Sequence, residues 1–307
     1  MLSRGSVAVQ STLHDFVCDR LFDRTNLRTE DKSWPKITIV TPSFNQGAYL
    51  EQTVLSVLNQ EYPNLEYIIM DGGSTDDSLK IIRRYEQYLS YWDSNPDGGQ
   101  SAALAAGFRR ATGEILAWIN SDDVYLPGVL QRVGQLFRSD EQIDICYGNM
   151  NLLDKHGCIV AERRVVDYST TLLRLGFRYG GLGIYQPASF WRRNLYEKVG
   201  GLNPSLFFCM DNDLFIRFVM GGANFKFINA PLYGFRIHPA SKTALHQNIA
   251  ELEFKALIEK YDLDWTSFKS RCIRTAIRFY RAWKHCLGGD GLYLAKRLLP
   301  NPLNSVP

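Results

Sequence analysis

From Lys36 onward the chain alternates short aliphatic or β-branched runs with stretches of helical period. KITIVTP is followed by the polar SFNQG and then AYLEQTVLSVLNQ; LEYIIMD by GGSTDD and SLKIIRRYEQY; EILAWIN by SDDVYLPG and VLQRVGQLF. Each triplet predicts a strand, a loop and a helix, and GGQSAALAAGFRRATG between them predicts a further helix closed by glycine. Strands that alternate with helices of this length predict an α/β fold with a doubly wound, mostly parallel sheet, whose ligands sit at the carboxyl ends of the strands.

After Gly148 the rhythm loosens. A hairpin is expected around Asp154-Lys155-His156-Gly157, then a glycine-rich stretch from Tyr179 to Gly183, then the strand-like ASFW, and acceptor recognition is expected in this region. Residues 249 to 263 and 266 to 286 predict two C-terminal helices. Ser33-Trp34-Pro35 marks a boundary, because proline discourages helix continuation. The division expected is an N-terminal extension over 1–35, a catalytic domain over 36–240 and a basic helical tail over 241–307.

Composition narrows the partners. With 307 residues and 45% hydrophobic side chains the chain can bury a sizeable core, and 35 basic against 32 acidic residues give a net charge of only +3, so no nucleic-acid partner is expected. The six cysteines show no CxxC pair and no histidine spacing of a zinc site, as expected of a reduced, cytoplasmic protein. The first residues, MLSRGSVAVQSTLHDF, lack the apolar stretch of a signal peptide, and no run of roughly 18 apolar residues predicts a membrane span.

Three polar clusters fall directly after three predicted strands: Thr41-Pro42-Ser43, Asp71-Gly72-Gly73-Ser74-Thr75-Asp76, and Asn120-Ser121-Asp122-Asp123. In a parallel sheet they converge on one edge. Asp71 follows YIIM, and a carboxylate at the tip of an apolar strand is costly unless bonded, which favours a ligand role. Ser74, Thr75 and Asp76 also read as helix-capping residues. Asp122 and Asp123 offer hard oxygen ligands to Mg²⁺ or Mn²⁺, and adjacent carboxylates repel unless a cation is present.

The chain resembles glycosyltransferase family 2. The resemblance is carried by TPSFNQGAYLEQTVLSVLNQEYPNLEYIIMDGGSTDDS, the turn Asp97-Gly98-Gly99-Gln100 with Ala103 and Gly107 after it, INSDDVYLPG, Met210-Asp211-Asn212-Asp213-Leu214, and Phe235-Arg236-Ile237-His238, an ordered set over residues 36 to 240. It implies a GT-A type nucleotide-binding fold and an inverting, metal-dependent transfer from a nucleotide diphosphate sugar to a hydroxyl of a glycan or lipid-linked acceptor. By similarity Thr41, Pro42, Ser43 and Asp71 surround the nucleotide, and Asp97 and Gln100 approach its ribose or diphosphate. The family's Asp-x-Asp falls on Asn120-Ser121-Asp122, so Asn120 departs from the pattern and is expected with Ser121 at the nucleotide, leaving Asp122 as metal ligand, with Asp123 beside it and His238 closing over the diphosphate or joining the metal shell. Asp211 matches the catalytic base, where the family often has a glutamate in place of Met210; Asp213 reads as an acceptor contact or a helix cap.

A nucleotidyltransferase would use a similar sheet, nucleotide and metal. It normally needs a basic, glycine-rich phosphate loop near the first strand, and PSFNQGAY contains no lysine or arginine. A non-catalytic sugar-binding protein would be expected to have lost the base and metal positions, which are present apart from Asn120.

Residues 266 to 307 hold Lys269, Arg271, Arg274, Arg278, Arg281, Lys284, Lys296 and Arg297 against Asp290 alone. Ile273, Ile277 and Tyr280 lie among them at helical spacing. Such a helix can lie on an anionic leaflet, which would place the protein peripherally on the inner face of the cell membrane; the alternative is packing on the catalytic domain with the cations solvated.

Overall fold

A computed structural model describes residues 31–180, 183–291, 293 and 294. Most of the expected N-terminal extension, together with Cys18, Gly181, Leu182, Lys296 and Arg297, lies outside the described residues. Trp34 and Pro35 already belong to the domain: the Trp34 and Tyr62 rings meet edge to face at 5.6 Å, and the Tyr62 hydroxyl donates to the Pro35 carbonyl at 2.7 Å.

The first half of the fold is β1 (Ile37–Ser43), α1 (Leu50–Leu58), β2 (Leu65–Asp71), α2 (Ser78–Tyr85), β3 (Tyr91–Ser94), α3 (Gln100–Arg110) and β4 (Ile115–Trp118). Its strands lie in the order β3-β2-β1-β4 and all pair in parallel. The second half comprises β5 (Val124–Tyr125), α4 (Val129–Ser139), β6 (Ile145–Leu153), β7 (Ile159–Arg163), α5 (Thr170–Tyr179), β8 (Ser189–Arg192), α6 (Arg193–Lys198), α7 (Met210–Met220) and β9 (Phe225–Arg236). Here the sheet continues as β8-β6-β9-β5, with β8 antiparallel to β4 and β6, β9 parallel to β6, β5 antiparallel to β9, and β7 folded back on β6. The expected α/β class holds, as a mixed sheet whose parallel portion is the half with the clearest strand and helix rhythm.

Both faces are covered, which explains why the central strands read as continuous apolar runs. On one face Ile37, Ile39, Tyr67 and Ile69 pack against Val54, Val57, Ile82, Leu130 and Val133 from α1, α2 and α4. On the other, Val40, Ile68, Leu116 and Trp118 pack against Leu104 and Phe108 of α3 and Leu214 and Phe218 of α7. Trp118 and Trp191 meet edge to face at 5.4 Å and are essentially inaccessible. Truncating either to alanine is expected to cost roughly 3–5 kcal/mol.

Three C-terminal helices follow: α8 (Lys242–Leu245), α9 (Gln247–Lys260) and α10 (Phe268–Leu287). They match the two expected helices and add a short one. The turn expected at Asp154 is present, its carboxylate accepting from the His156 and Cys158 N–H groups at 2.8 and 2.9 Å. Among the described residues no helix is long and apolar enough to cross a membrane.

Candidate active site

Parallel pairing aligns the first two polar clusters. Ser43 is opposite Asp71, Asp71 is opposite Ser94, and the Gly72 N–H donates to the Ser43 carbonyl at 2.8 Å. The loop after β1 is sewn to the loop after β2. The Asn45 N–H donates to Ser74 Oγ, the Thr75 N–H to Asn45 Oδ1, and Asp76 accepts from the N–H groups of Gly47 and Ser78. Asp76 therefore joins two loops as well as binding the first residue of α2.

Asp71 is 3% exposed and finds its partners inside the protein: Ser74 N at 2.9 Å, Ser74 Oγ at 2.6 Å and Ser94 Oγ at 2.7 Å. The desolvation argument for a ligand at Asp71 is thereby met without one. Thr41 is a correction. It faces the apolar core, fully buried, with its hydroxyl 3.1 Å from that of Tyr67, so its side chain cannot touch a ligand at the strand tips. Pro42 is likewise buried, whereas Ser43 Oγ is buried with no hydrogen-bond partner among the described residues.

Asp97 lies exposed over Gly72, where a Cβ would come within 3.2 Å of its carboxylate. Loss of water raises its carboxyl, the Gly99 N–H holds it down, and the Asp71 charge raises it again. Phe44, which sequence reasoning did not single out, is 61% exposed beside Gly72. Its signal was an aromatic residue inside the otherwise polar loop SFNQG.

The third cluster divides. Asp123 is 1% exposed and its carboxylate is engaged by Tyr233 Oη at 2.6 Å, the Arg236 N–H at 2.7 Å and Asn120 Nδ2 at 3.1 Å. Burial pushes its carboxyl up and so does the Asp122 charge, while these three donors oppose the shift. Asp123 is thus corrected from metal ligand to a buried anchor between the β4–β5 loop and β9. Close approach of the two segments needs Gly234, whose Cβ would lie 2.7 Å from Leu153 and 2.9 Å from Val124. Ser121 is buried with it.

Asn120 accepts from Gln100 Nε2 at 2.9 Å while donating to Asp123. An aspartate here would set two carboxylates against each other, which explains the amide. Asn120 and Gln100 are therefore occupied by protein partners, with Gln100 Oε1 accepting from Lys242 Nζ at 2.7 Å.

Asp122 points the other way. One carboxylate oxygen lies 2.9 Å from His238 Nε2, and the side chain retains 15% exposure. Arg236, almost fully buried, holds this pair in place: Nε donates to the Asp122 carbonyl and an Nη to Gln52 Oε1, both at 2.7 Å, and the guanidinium lies 4.8 Å from the Tyr49 ring centre. Carboxylate oxygen and imidazole nitrogen suit Mg²⁺ or Mn²⁺ with diphosphate oxygens and water completing the shell. Among the described residues no third histidine, cysteine, aspartate or glutamate joins them.

Asp211 stands in the first turn of α7, half-buried. Its Oδ1 accepts from Asn212 N at 2.7 Å and Asn212 Nδ2 at 3.0 Å, and no described residue bonds Oδ2. Burial raises its carboxyl, against the pull of these bonds and of Lys242. Asp213 is a different kind of residue: fully buried, it binds Arg217 at 2.6 Å, Tyr261 Oη at 2.7 Å and Lys260 at 3.0 Å, so it ties α7 to the end of α9.

Two further residues connect this side to the rest. Lys242 Nζ donates to Gln100 Oε1 and to the Phe207 carbonyl, and burial pushes its ammonium down to about 8. Glu253 of α9 accepts from three consecutive backbone N–H groups, Phe207 at 2.6 Å and Phe208 and Cys209 at 2.8 Å, fixing the loop that enters α7. Neither had a sequence signal, because each is one charge among many on a helix outside the clusters.

A family model described as glycosyl transferase family 2 matches residues 38–200, more than half of the chain. An uncharacterized glycosyltransferase of Nostoc sp. is 30% identical over 182 residues, which are 55% of this chain and 54% of that protein. The chain thus spans about half the length of that relative. Among solved structures, the mannosyltransferase PcManGT from Pyrobaculum calidifontis in complex with GDP-Man and Mn²⁺ aligns with a TM-score of 0.54 at 17% identity, over 92% of this chain and 81% of that one. S. aureus TarS 1-349 in complex with UDP-GlcNAc aligns with 0.54 at 17%, over 78% and 70%. These likenesses establish the expected GT-A type fold. The chain belongs to glycosyl transferase family 2.

Proposed function

We propose that this protein is an inverting, metal-dependent glycosyltransferase that moves a sugar from a nucleotide diphosphate sugar to a hydroxyl of a glycan or lipid-linked acceptor. The observation that carries the reading is Asp211, whose Oδ2 is left without a described partner in a half-buried position; Lys242, whose charge acts on it, is bonded through Gln100 and Asn120 to Asp123, the neighbour of the Asp122–His238 pair. Phe44 and Asp97 form the surface on which the nucleotide rests, with Phe44 stacking on the base and the buried Ser43 and Asp71 supporting the loops beneath. Complexes of PcManGT with GDP-Man and Mn²⁺ and of TarS with UDP-GlcNAc support a nucleotide sugar donor and, for the former, a metal.

Asp122 and His238 would hold a divalent cation, which offsets charge on the departing diphosphate when bound. Asp211 Oδ2 takes the proton of the acceptor hydroxyl as that oxygen attacks the anomeric carbon. The bond from that carbon to the diphosphate oxygen breaks on the opposite face, which inverts the centre. Lys242 and Glu253 hold the loop at 206–209, and so set where Asp211 stands. The functional unit therefore runs from about Trp34 to Tyr261, beyond the tail boundary at 241. The basic segment 266–307 is the part through which an anionic membrane surface, on the inner face of the cell membrane, would be reached.

The test is a panel of nucleotide sugars with Mn²⁺ or Mg²⁺, scored by released nucleoside diphosphate and by product anomer. Release that requires neither metal nor acceptor, or retention of configuration, would overturn the reading.

A further inference from the structure

The helix α10 has two apolar faces, and they do different things. Ser270, Ile277 and His285 are buried and Tyr280 packs against the core beside α7, with the Tyr280 ring 6.4 Å from that of Tyr168. Arg274 Nη1 donates to the Trp265 carbonyl at 2.5 Å. At the far end Asp290 contacts Arg164 and His285, so the helix is held at both ends. The expected stripe of Ile273, Ile277 and Tyr280 is thus the face turned to the protein.

The opposite face is also apolar and is open. Phe268 is 74% exposed, Phe279 72%, Trp283 55% and Leu287 67%, with exposed Cys272 between them. At about 100° per residue these five fall within one arc of roughly 100°. Together with Arg271, Thr275 and Ala276, the Phe268, Cys272 and Phe279 side chains line a shallow depression of about 620 Å³. Arg271 and Arg278 are exposed along one edge of this arc and Lys269 along the other. Asp290, the only acidic residue after Asp264, is already bonded to Arg164 and His285, so nothing in its own segment neutralises Arg271 and Arg278, whereas Lys269 lies 5.1 Å from the Tyr179 ring centre with its charge acting on Asp264.

We propose that the outer face of α10 lies in the plane of an anionic lipid surface, with Phe268, Phe279, Trp283 and Leu287 below the headgroups and Arg271 and Arg278 among the lipid phosphates. An exposed aromatic stripe bordered by cations fits that interface on both counts. The helix is about 30 Å long, enough to act as a rigid runner fixed to the catalytic domain. The inference does not depend on the transfer reaction, because the binding is read without donor or acceptor.

The experiment is sedimentation of the full chain with vesicles of phosphatidylcholine alone or containing phosphatidylglycerol, at low and high salt. The wild type is expected to bind the anionic vesicles at least tenfold more tightly than the neutral ones, and less as salt rises. Arg271→Gln with Arg278→Gln should weaken binding about 20–30-fold, from roughly a fivefold contribution per cation. Phe279→Ser with Trp283→Ser should weaken it on both vesicle types, while its melting temperature stays within a few degrees because both side chains are exposed. Equal binding by all three proteins, or no binding to anionic vesicles at low salt, overturns the proposal. So does conversion of a dimer to a monomer by the aromatic variant in a protein that ignores vesicles, since the stripe would then meet a second copy of the chain.

Discussion

The two sides of the candidate site, the proposed donor side at the strand tips and the proposed base side at α7, are built on opposite plans. On the donor side, strand tips in register bring Ser43, Asp71 and Ser94 together, and the buried polar groups there largely satisfy one another. On the base side, residues far apart in sequence are held by long-range bonds from Arg236, Lys242 and Glu253, and a carboxylate oxygen is left over on Asp211. The contrast between Asp122 and Asp123 compresses the lesson into two adjacent residues: one retains 15% exposure beside His238 and the other is consumed by three donors. Carboxylates become available for chemistry where the surrounding donors run out.

Asp211→Asn breaks the base side most severely. Turnover should fall at least about a hundredfold with donor affinity nearly unchanged, the usual scale for losing a positioned base. Comparison of single-turnover rates with calorimetric donor binding checks it, and normal turnover at saturating acceptor would remove Asp211 from the role.

The two neighbouring aspartates should separate next. Asp122→Ala should abolish metal-supported binding of a nucleoside diphosphate and leave the melting temperature close to wild type. Asp123→Ala should destabilise the fold by on the order of 3 kcal/mol, because the Tyr233 hydroxyl and Arg236 N–H are left buried and unpaired. Denaturant unfolding and Mn²⁺ titrations of the two variants measure both halves of the comparison.

Glu253→Gln sharpens the reading of the base side. Its new amide opposes backbone donors, so kcat should fall about tenfold while nucleotide affinity holds, and Glu253→Asp should recover part of the loss. A fall in donor affinity equal to the fall in kcat would mean that the loop serves the donor instead.

The pH profile should follow the same side. Asp211 acts as base only when ionised, and burial raises its carboxyl, so kcat should rise through a pKa above the ordinary aspartate value of about 4. Lys242, pushed down to about 8, loses its charge above that pH, and the rate should decline there. Lys242→Met should remove the alkaline decline.

Thr41→Val should do least. Losing the contact with the Tyr67 hydroxyl costs about 1 kcal/mol, and donor affinity should not change. A large rise in the donor KM would return Thr41 to the nucleotide site.

Strand, loop and helix rhythm determined the parallel half by itself, because both faces of those strands are buried and local periodicity records that burial. It also placed the polar clusters at one edge, and the residue types there named oxygen-ligand chemistry. Depth at a strand tip was not legible, since Thr41 and Asp71 look equally exposed in a linear chain, whereas the β1–β2 pairing sets Thr41 one step below the Ser43–Asp71 pair, against Tyr67. The antiparallel continuation, the separate fates of Asp122 and Asp123, and the parts played by Lys242 and Glu253 were decided by tertiary structure alone. Apart from the local β6–β7 hairpin and the Asn120 contact of Asp123, the partners lie tens of residues or more away, and a hydrogen bond across that separation leaves no periodic trace in sequence. The same holds for α10, where periodicity revealed the stripe of Ile273, Ile277 and Tyr280 and only its packing beside α5 decided that this stripe is covered while Phe268, Phe279, Trp283 and Leu287 stay open.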